Sequence, residues 1–230
     1  MAGREIGRDI ELANGAERLR AHLAVPDGGR GPGVVVIQEW WGLVDHIRGV
    51  CARLARAGFV ALAPDLYRGE TASDPDTAAR LMMALEIPRA ARDLDAAVDG
   101  LLAQSATTGA KVGVVGFCMG GQLALYAGTC NPRIGAVVDC YGVHPNVKPD
   151  WTGLAAPVLG VFAERDAYVP PAVVHELEAA LRAAGKRTSF TIHPGVDHAF
   201  LNDTRPDVYD AAAAERAWAE ITTFLRAELA

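Results

Sequence analysis

The stretch KVGVVGFCMGG, from Lys111 to Gly121, points to the class of fold that this chain adopts. Its first part is an apolar, β-branched run typical of a buried strand, and the composition becomes helical after Met119. Cys118 stands between the two at a sharp turn. Gly116 and Gly120 flank it, because side chains at those positions would collide across the turn. The pattern G-x-C-x-G-G therefore predicts a nucleophile elbow with cysteine in place of serine.

Apolar strands and helices alternate on both sides of this turn. We predict strands at 34–37, 59–65, 111–117, 134–142, 157–166 and 187–194, and helices at about 45–57, 88–102, 171–184 and 207–229. Two segments rich in turn residues, 68–88 and 142–157, are predicted excursions from the core. Wholly apolar strands separated by helices indicate an α/β fold: a mostly parallel sheet covered on both faces, with ligands bound beyond the carboxyl ends of the strands.

Length and composition indicate a globular protein. A chain of 230 residues fits a single domain, 1–230, that buries a large core without metal or disulfides. The net charge is −6 and the basic residues are scattered, which excludes the concentrated positive surface of a nucleic-acid-binding protein. The first fifteen residues do not resemble a signal peptide, and no window approaches a membrane span, so we expect no membrane partner and a cytoplasmic location.

The four cysteines show neither zinc-site spacing nor the density of a disulfide framework. We therefore predict free thiols and no metal site. A free cysteine is most often a small buried apolar residue, and this remains the simplest interpretation of any one of them. Cys118 is the exception because of the turn in which it lies. The cysteines are Cys51, Cys118, Cys130 and Cys140.

The elbow predicts two partners downstream, in the chain order nucleophile, acid, histidine. Asp166 follows the strand 157–166, and His198 follows the strand that ends at Pro194, so both are expected beside the elbow. Histidine would take the proton of the Cys118 thiol, while the aspartate would orient the imidazole and stabilise its charged form.

Other residues are alternative candidates for these roles. His193 lies in or just beyond its strand, where a structural role is expected, and His144 comes too early to have an acid before it. Asp139 remains an alternative acid, whereas Asp197 adjoins His198 and should point elsewhere. No serine has an elbow around it. The serines are Ser73, Ser105 and Ser189.

Two backbone N–H groups are predicted to form an oxyanion hole. The N–H of Met119 opens a helix and has no partner within it. The segment QEWWG, 38–42, follows the strand 34–37, where the second donor of such enzymes arises, and this favours the N–H of Trp40. A solvent-exposed rim is the alternative interpretation of this acidic, aromatic segment.

Together these motifs resemble the dienelactone hydrolases, or carboxymethylenebutenolidases, of the α/β-hydrolase superfamily. The resemblance covers most of the chain, and it rests on QEWWG at 38–42, PDLY at 64–67, GFCMGG at 116–121, Asp166, and DHAF at 197–200. It implies the α/β-hydrolase fold, with Cys118 as nucleophile, His198 as base and Asp166 as its partner.

The resemblance also implies that Glu39 keeps the resting thiol neutral and moves to activate it when substrate binds. Such a device has a chemical rationale. A thiol with a pKa of about 8.5 is only slightly ionised at neutral pH, and a permanently exposed thiolate invites oxidation. Linking ionisation to substrate binding avoids both problems.

The predicted substrate contacts depart from the family at one position. Dienelactone-cleaving members grip the substrate carboxylate with two arginines, one of them four residues after the catalytic histidine, and here that residue is Asn202. Arg68 and Arg80 are candidates for the other. A neutral amide in place of an arginine favours a less anionic or bulkier substrate. Aromatic candidates for the pocket wall are Trp40, Trp41, Tyr67, Phe117, Tyr141 and Phe200.

The sequence thus predicts a hydrolase that opens a small-molecule ester or lactone through a cysteine acyl-enzyme, without a cofactor. One alternative is a thioesterase or another acyl hydrolase that uses the same three residues. Another is a binding or scaffold protein on the same fold, because fold alone does not establish function. The oligomeric state is left open.

Overall fold

A computed structural model describes residues 7–230, whose strands form one eight-stranded sheet. The strands are β1 (Arg8–Asn14), β2 (Glu17–Ala24), β3 (Gly31–Ile37), β4 (Val60–Pro64), β5 (Thr107–Phe117), β6 (Ile134–Cys140), β7 (Val158–Ala163) and β8 (Thr188–His193). The helices are α1 (Asp45–Arg56), α2 (Pro75–Ala84), α3 (Ile87–Leu102), α4 (Met119–Cys130), α5 (Pro171–Ala183) and α6 (Ala211–Glu228), with a short 3₁₀ turn at Trp151–Gly153.

The strand order is β1-β2-β4-β3-β5-β6-β7-β8. Strand β2 is antiparallel to both of its neighbours, and all pairings from β4 to β8 are parallel. Strands β4 and β7 are buried at every position, as expected for parallel strands covered on both faces. The predicted fold class, a mostly parallel α/β-hydrolase sheet, is confirmed.

Helices cover the sheet on both faces. On one face a hydrophobic core includes Ile47 and Leu54 of α1 and Ile221 of α6, and on the other a second core includes Leu101 of α3 and Leu123 of α4. Strands β3 and β5 are adjacent in the middle of the sheet. Because parallel strands end at the same edge, the residues that follow β3, β5, β7 and β8 come together there.

The structure contains a hairpin, β1 and β2, that the sequence analysis did not predict. Strand β1 has a single buried residue, Leu12, among exposed and half-buried ones. An edge strand with charged residues on its solvent side carries little of the apolar signal by which buried strands are recognised.

Helix α2 was also missed, because it lies in the segment 68–88 that was predicted as an excursion. Asp74 caps this helix by accepting a hydrogen bond of 2.9 Å from the Thr77 N–H, and Pro75 occupies its first turn. Aspartate followed by proline is common both in turns and at helix starts, and here it begins a helix. The last helix begins at Ala211 instead of 207, with Asp210 as its cap.

Candidate active site

The elbow has the strained backbone that its glycines predict. Cys118 has φ 53° and ψ −123°, a conformation that residues with a side chain rarely adopt, and it lies between the end of β5 and the start of α4. A Cβ added to Gly116 would lie 1.8 Å from the carbonyl oxygen of Gly120, and one on Gly120 would lie 2.5 Å from the carbonyl oxygen of Gln38. Glycine is therefore required at both positions.

Asp166 and His198 form a hydrogen-bonded pair beyond the ends of β7 and β8. The distance between His198 Nδ1 and Asp166 Oδ2 is 2.7 Å. The other carboxyl oxygen of Asp166 accepts hydrogen bonds from the N–H groups of Tyr168, at 2.8 Å, and Val169, at 2.9 Å. The carboxylate is thus held from both sides, and it fixes the orientation of the imidazole.

The protonation of this pair follows from its surroundings. Burial lowers the pKa of His198, but hydrogen bonds with Asp166 and with the Cys118 sulfur outweigh this effect and raise the pKa to about 10. Burial raises the pKa of Asp166, but the hydrogen bond and charge of His198 hold it below its usual range. An ionised aspartate beside a stabilised imidazolium is an arrangement that favours a thiolate on the neighbouring Cys118.

Glu39 is 1 % exposed and contacts the same cavity as Cys118. Its Oε2 accepts a hydrogen bond of 2.8 Å from Asn202 Nδ2, and its Oε1 has no partner among residues 7–230. Asn202 is held in turn, because its Oδ1 accepts hydrogen bonds from the N–H and hydroxyl of Thr204 at 3.1 and 2.7 Å. Asn202 therefore lies behind Glu39.

A cavity of about 120 Å³ opens beside these groups. Most of its wall is apolar, and Cys118 and His198 both line it. This combination of an apolar pocket with a few convergent polar groups is typical of a small-molecule site. Its lining residues are Glu39, Trp40, Trp41, Met82, Cys118, Val143, Tyr168, His198, Ala199 and Arg205.

The structure places the predicted site residues in two groups. Cys118, His198, Glu39, Trp40 and Trp41 line the cavity, and Asp166 lies directly behind His198. The remaining predicted residues do not line the cavity, although Met119, predicted to contribute its backbone N–H, directly follows Cys118 as the first residue of α4. These residues are Met119, Tyr67, Arg68, Arg80, Phe117, Tyr141, Phe200 and Asn202.

Each residue of the second group has another environment. Arg68 pairs with the buried Asp93 at 2.6 Å, and Arg80 is exposed on α2. The hydroxyl of Tyr67 donates to the sulfur of Met119 at 3.2 Å. The three other aromatic side chains are fully buried in the core near the site. They are Phe117, Tyr141 and Phe200, and the Tyr141 ring centroid is 5.0 Å from that of His198.

The sequence analysis missed five residues of the cavity wall. Met82 lies on the unpredicted helix α2, whereas Val143, Tyr168 and Ala199 are neighbours in sequence of residues that were discussed. Arg205 adds a cation, with its guanidinium 6.0 Å from the centroid of Trp41 and 2.6 Å from Asp207. No local sequence pattern identifies Arg205 as a cavity residue, because only the path of the loop after His198 brings it to the cavity.

The alternative candidates have other partners. His144 Nδ1 accepts a hydrogen bond from the Asn146 N–H at 3.1 Å, His193 is 3.7 Å from Glu220, and Asp197 pairs with Arg165 at 3.1 Å. The three serines are exposed. Asp139 is buried beneath the elbow, and the acid that is hydrogen-bonded to His198 is Asp166.

The four cysteines are free thiols, as predicted. Cys51 and Cys140 are buried, and burial raises the pKa of Cys51 to about 12. Cys130 is exposed on α4. Within residues 7–230, no group of three or more histidine, cysteine or acidic side chains is arranged to hold a metal ion, and no helix is long and apolar enough to cross a membrane.

Comparison with known proteins extends the likeness to nearly the whole chain. The family model described as "Dienelactone hydrolase family" matches residues 19–229. "Protein usf" of Aquifex pyrophilus is 37 % identical over 228 residues, covering 96 % of this chain and 98 % of that protein. The "Putative carboxymethylenebutenolidase" of Aquifex aeolicus is 33 % identical over 231 residues, covering 97 % of this chain and 100 % of its own length.

A solved structure shows the same similarity in three dimensions. The "Putative Dienelactone Hydrolase" of Klebsiella pneumoniae superimposes with a TM-score of 0.88 at 30 % sequence identity. The alignment covers 96 % of this chain and 98 % of that one. The shared architecture therefore extends over nearly the whole chain.

Proposed function

Because this chain belongs to the dienelactone hydrolase family, we propose that it hydrolyses a small-molecule ester or lactone through a Cys118 acyl-enzyme. The hydrogen-bonded pair of His198 and Asp166, at 2.7 Å, in contact with a cavity that Cys118 also lines, is the observation that supports this best. A thiol, an imidazole and a carboxylate in this order are the parts of a nucleophilic acyl-transfer site.

In the proposed reaction, Glu39 accepts the thiol proton when substrate enters, and the sulfur of Cys118 attacks the substrate carbonyl beside the charged imidazole of His198. The negative oxygen that forms is bound by the N–H groups of Met119 and Trp40. His198 then gives its proton to the departing alcohol, which leaves a thioester on Cys118. Water attacks the thioester, with His198 as base, and the C–S bond breaks to release the carboxylic acid. Glu39 then returns its proton to the sulfur, which restores the free thiol. Asp166 supports the charged imidazole at each of these steps.

Glu39 is proposed to control the state of the thiol. It lies in the cavity wall with Cys118, one carboxylate oxygen is held by Asn202, and the other has no partner among the described residues. A buried carboxylate with one unpartnered oxygen is available to accept a proton. Asn202 is then a positioning residue for Glu39, which replaces our expectation that it contacts the substrate.

Replacing Glu39 by glutamine is expected to lower kcat for an activated aryl ester by about 100-fold, because the amide cannot accept the thiol proton. The fold should be unchanged, since the amide keeps the shape of the side chain and an acceptor for Asn202. Steady-state kinetics and circular dichroism test both statements. The control is Glu176→Gln, at an exposed position of α5. An unchanged kcat in Glu39→Gln would remove this role.

Arg205 is proposed to favour substrates that carry a negative charge. It is the guanidinium in the cavity wall, and its pair with Asp207 leaves further N–H donors for a carboxylate. This is a weaker cationic site than two arginines would make, which agrees with the less anionic substrate predicted from Asn202.

The substitution Arg205→Gln is expected to raise KM about 10-fold for an ester with a free carboxylate and to change KM for a neutral ester less than about twofold. Arg182→Gln, which breaks an exposed arginine pair with Glu178 outside the cavity, is the matched control. Equal changes in KM for both esters in Arg205→Gln would show that this residue does not distinguish charged from neutral substrates.

A further inference from the structure

A buried carboxyl group lies beneath the elbow and takes no part in the mechanism above. Asp139, on β6, is 0 % exposed, and neither of its carboxyl oxygens has a hydrogen-bond partner among residues 7–230. Its partners in the sheet register are Gly116 of β5 and Gly160 of β7. An unpaired carboxylate is costly in such surroundings, so the neutral acid is favoured.

The Asp139 side chain occupies the space that side chains at two nearby glycines would need. A Cβ on Gly121, in the first turn of α4, would lie 2.2 Å from Oδ1, and a Cβ on Gly142, just after β6, would lie 2.1 Å from it. The carboxyl group therefore packs between the start of α4 and the turn that follows β6. This packing accounts for the last glycine of the G-x-C-x-G-G pattern.

The same turn holds the backbone of the nucleophile. The Cys118 N–H donates to the Cys140 carbonyl at 3.0 Å, and the Cys118 carbonyl accepts from the Val143 N–H at 3.2 Å. These two bonds lie on either side of Gly142. Because the backbone of Cys118 is strained, its geometry depends on such restraints from its neighbours.

We propose that the neutral carboxyl group of Asp139 is a positioning residue, which holds the turn 140–143 against α4 and so keeps the Cys118 thiol aligned with His198. Loss of its proton would place an unpaired charge in this contact and loosen it. The inference deepens the proposed function, since it rests on Cys118 as the reactive thiol.

The surroundings of Asp139 allow the packing of this turn to depend on whether its carboxyl group is protonated. Burial raises the pKa of Asp139 to about 7, and the nearby N–H of Gly142, which does not meet hydrogen-bond geometry, opposes this shift only in part. The titratable neighbour is the adjacent Cys140 thiol, whose pKa burial raises well above its usual range, so it stays neutral. The elements around the carboxyl group present Gly116, Gly121 and Gly160 to it, and these carry no charge.

The test measures the reactivity of Cys118 toward iodoacetamide, which requires no substrate. All variants carry Cys130→Ser, so that the tryptic peptide 112–133 contains Cys118 as its one cysteine. Asp139→Asn keeps the shape of the side chain without its titration. The alkylation rate of Asp139→Asn relative to Asp139 is expected to be near one at about pH 6 and to rise at least about fivefold by about pH 9. Asp139→Ala should slow alkylation at about pH 6 by a similar factor, because it leaves a gap.

A rate ratio for Asp139→Asn that stays constant with pH would overturn the proposal. So would Asp139→Ala that folds and reacts as fast as the parent protein at about pH 6. If Asp139→Ala does not fold, the pH dependence of Asp139→Asn alone decides. If the alkylation ratio rises with pH but the parent protein hydrolyses no ester, the role of Asp139 is supported and the proposed function is contradicted.

Discussion

Replacement of Cys118 by alanine should lower kcat for an activated aryl ester by about 10⁴-fold or more, because no acyl-enzyme can form without the sulfur. The apolar cavity and the His198–Asp166 pair remain in this variant, so binding of the ester should persist. The elbow should also persist, since alanine has the same backbone demands as cysteine at this position. Stopped-flow kinetics with the ester in excess measures the loss.

Two observations make this prediction specific to Cys118. Mass spectrometry of the Cys130→Ala variant, quenched during turnover, should show an acyl group on the peptide 112–133, whose one cysteine is then Cys118. The matched control is Cys130→Ala, which removes the exposed thiol at the end of the same helix and should leave kcat unchanged. Activity of Cys118→Ala near that of the parent protein would show that another residue is the nucleophile.

The substitution Asp166→Asn should lower kcat by about 10³- to 10⁴-fold, because the amide no longer stabilises the charged imidazole or selects its tautomer. Burial lowers the pKa of His198, and its bonds to Asp166 and Cys118 outweigh this and raise it to about 10. Without the carboxylate, the pKa of His198 should fall. NMR titration of the His198 ring measures this fall, and kinetics measures the loss of turnover.

Asp197→Asn is the matched control for this prediction. Asp197 adjoins His198 in the sequence, but its carboxylate pairs with Arg165 at 3.1 Å instead of with the imidazole. The Asp197→Asn variant should therefore keep kcat within about twofold, and the pKa of His198 measured by titration should be unchanged. If Asp197→Asn caused the larger loss, or if Asp166→Asn left the titration of His198 unchanged, the assignment of the acid would be wrong.

The pH dependence of stability follows from the same pair. The pKa of Asp166 is held below its usual range in the folded protein. Its ionised form therefore stabilises the fold at pH values above the pKa of an aspartate in the unfolded chain, and this contribution is lost as the pH falls through the lowered pKa. The pKa of Asp139 is raised to about 7, so it acts in the opposite sense and its burial becomes less favourable as the pH rises.

Much of the sheet could be predicted from local patterns. Buried parallel strands are continuous apolar runs, and β3, β4, β6 and β7 stand out in the sequence for this reason. The hairpin of β1 and β2 carries charges on an edge strand, and α2 is a short helix whose Asp74 and Pro75 are equally common in turns. Both elements depend on packing against the rest of the molecule, which no local pattern reports.

The residues proposed for catalysis could be predicted because their positions follow from topology. A glycine-flanked cysteine after one strand, and an acid and a histidine after two later strands, must come to one edge of a parallel sheet. The contacts of their side chains do not follow from topology. Asn202 was expected at the substrate but donates to Glu39, while Arg205 reaches the cavity without any motif around it.

Backbone sterics and hydrophobic periodicity act over a few residues, so the amino-acid sequence alone carries the positions of the apolar parallel strands, the elbow at Cys118 and the family to which the chain belongs. Long-range packing settled the rest: how Asn202 and Glu39 pair, which arginine lines the cavity, and where the Asp139 carboxyl is buried. These contacts join residues far apart in the chain, and their energies depend on burial and distance, which exist only once the chain has folded.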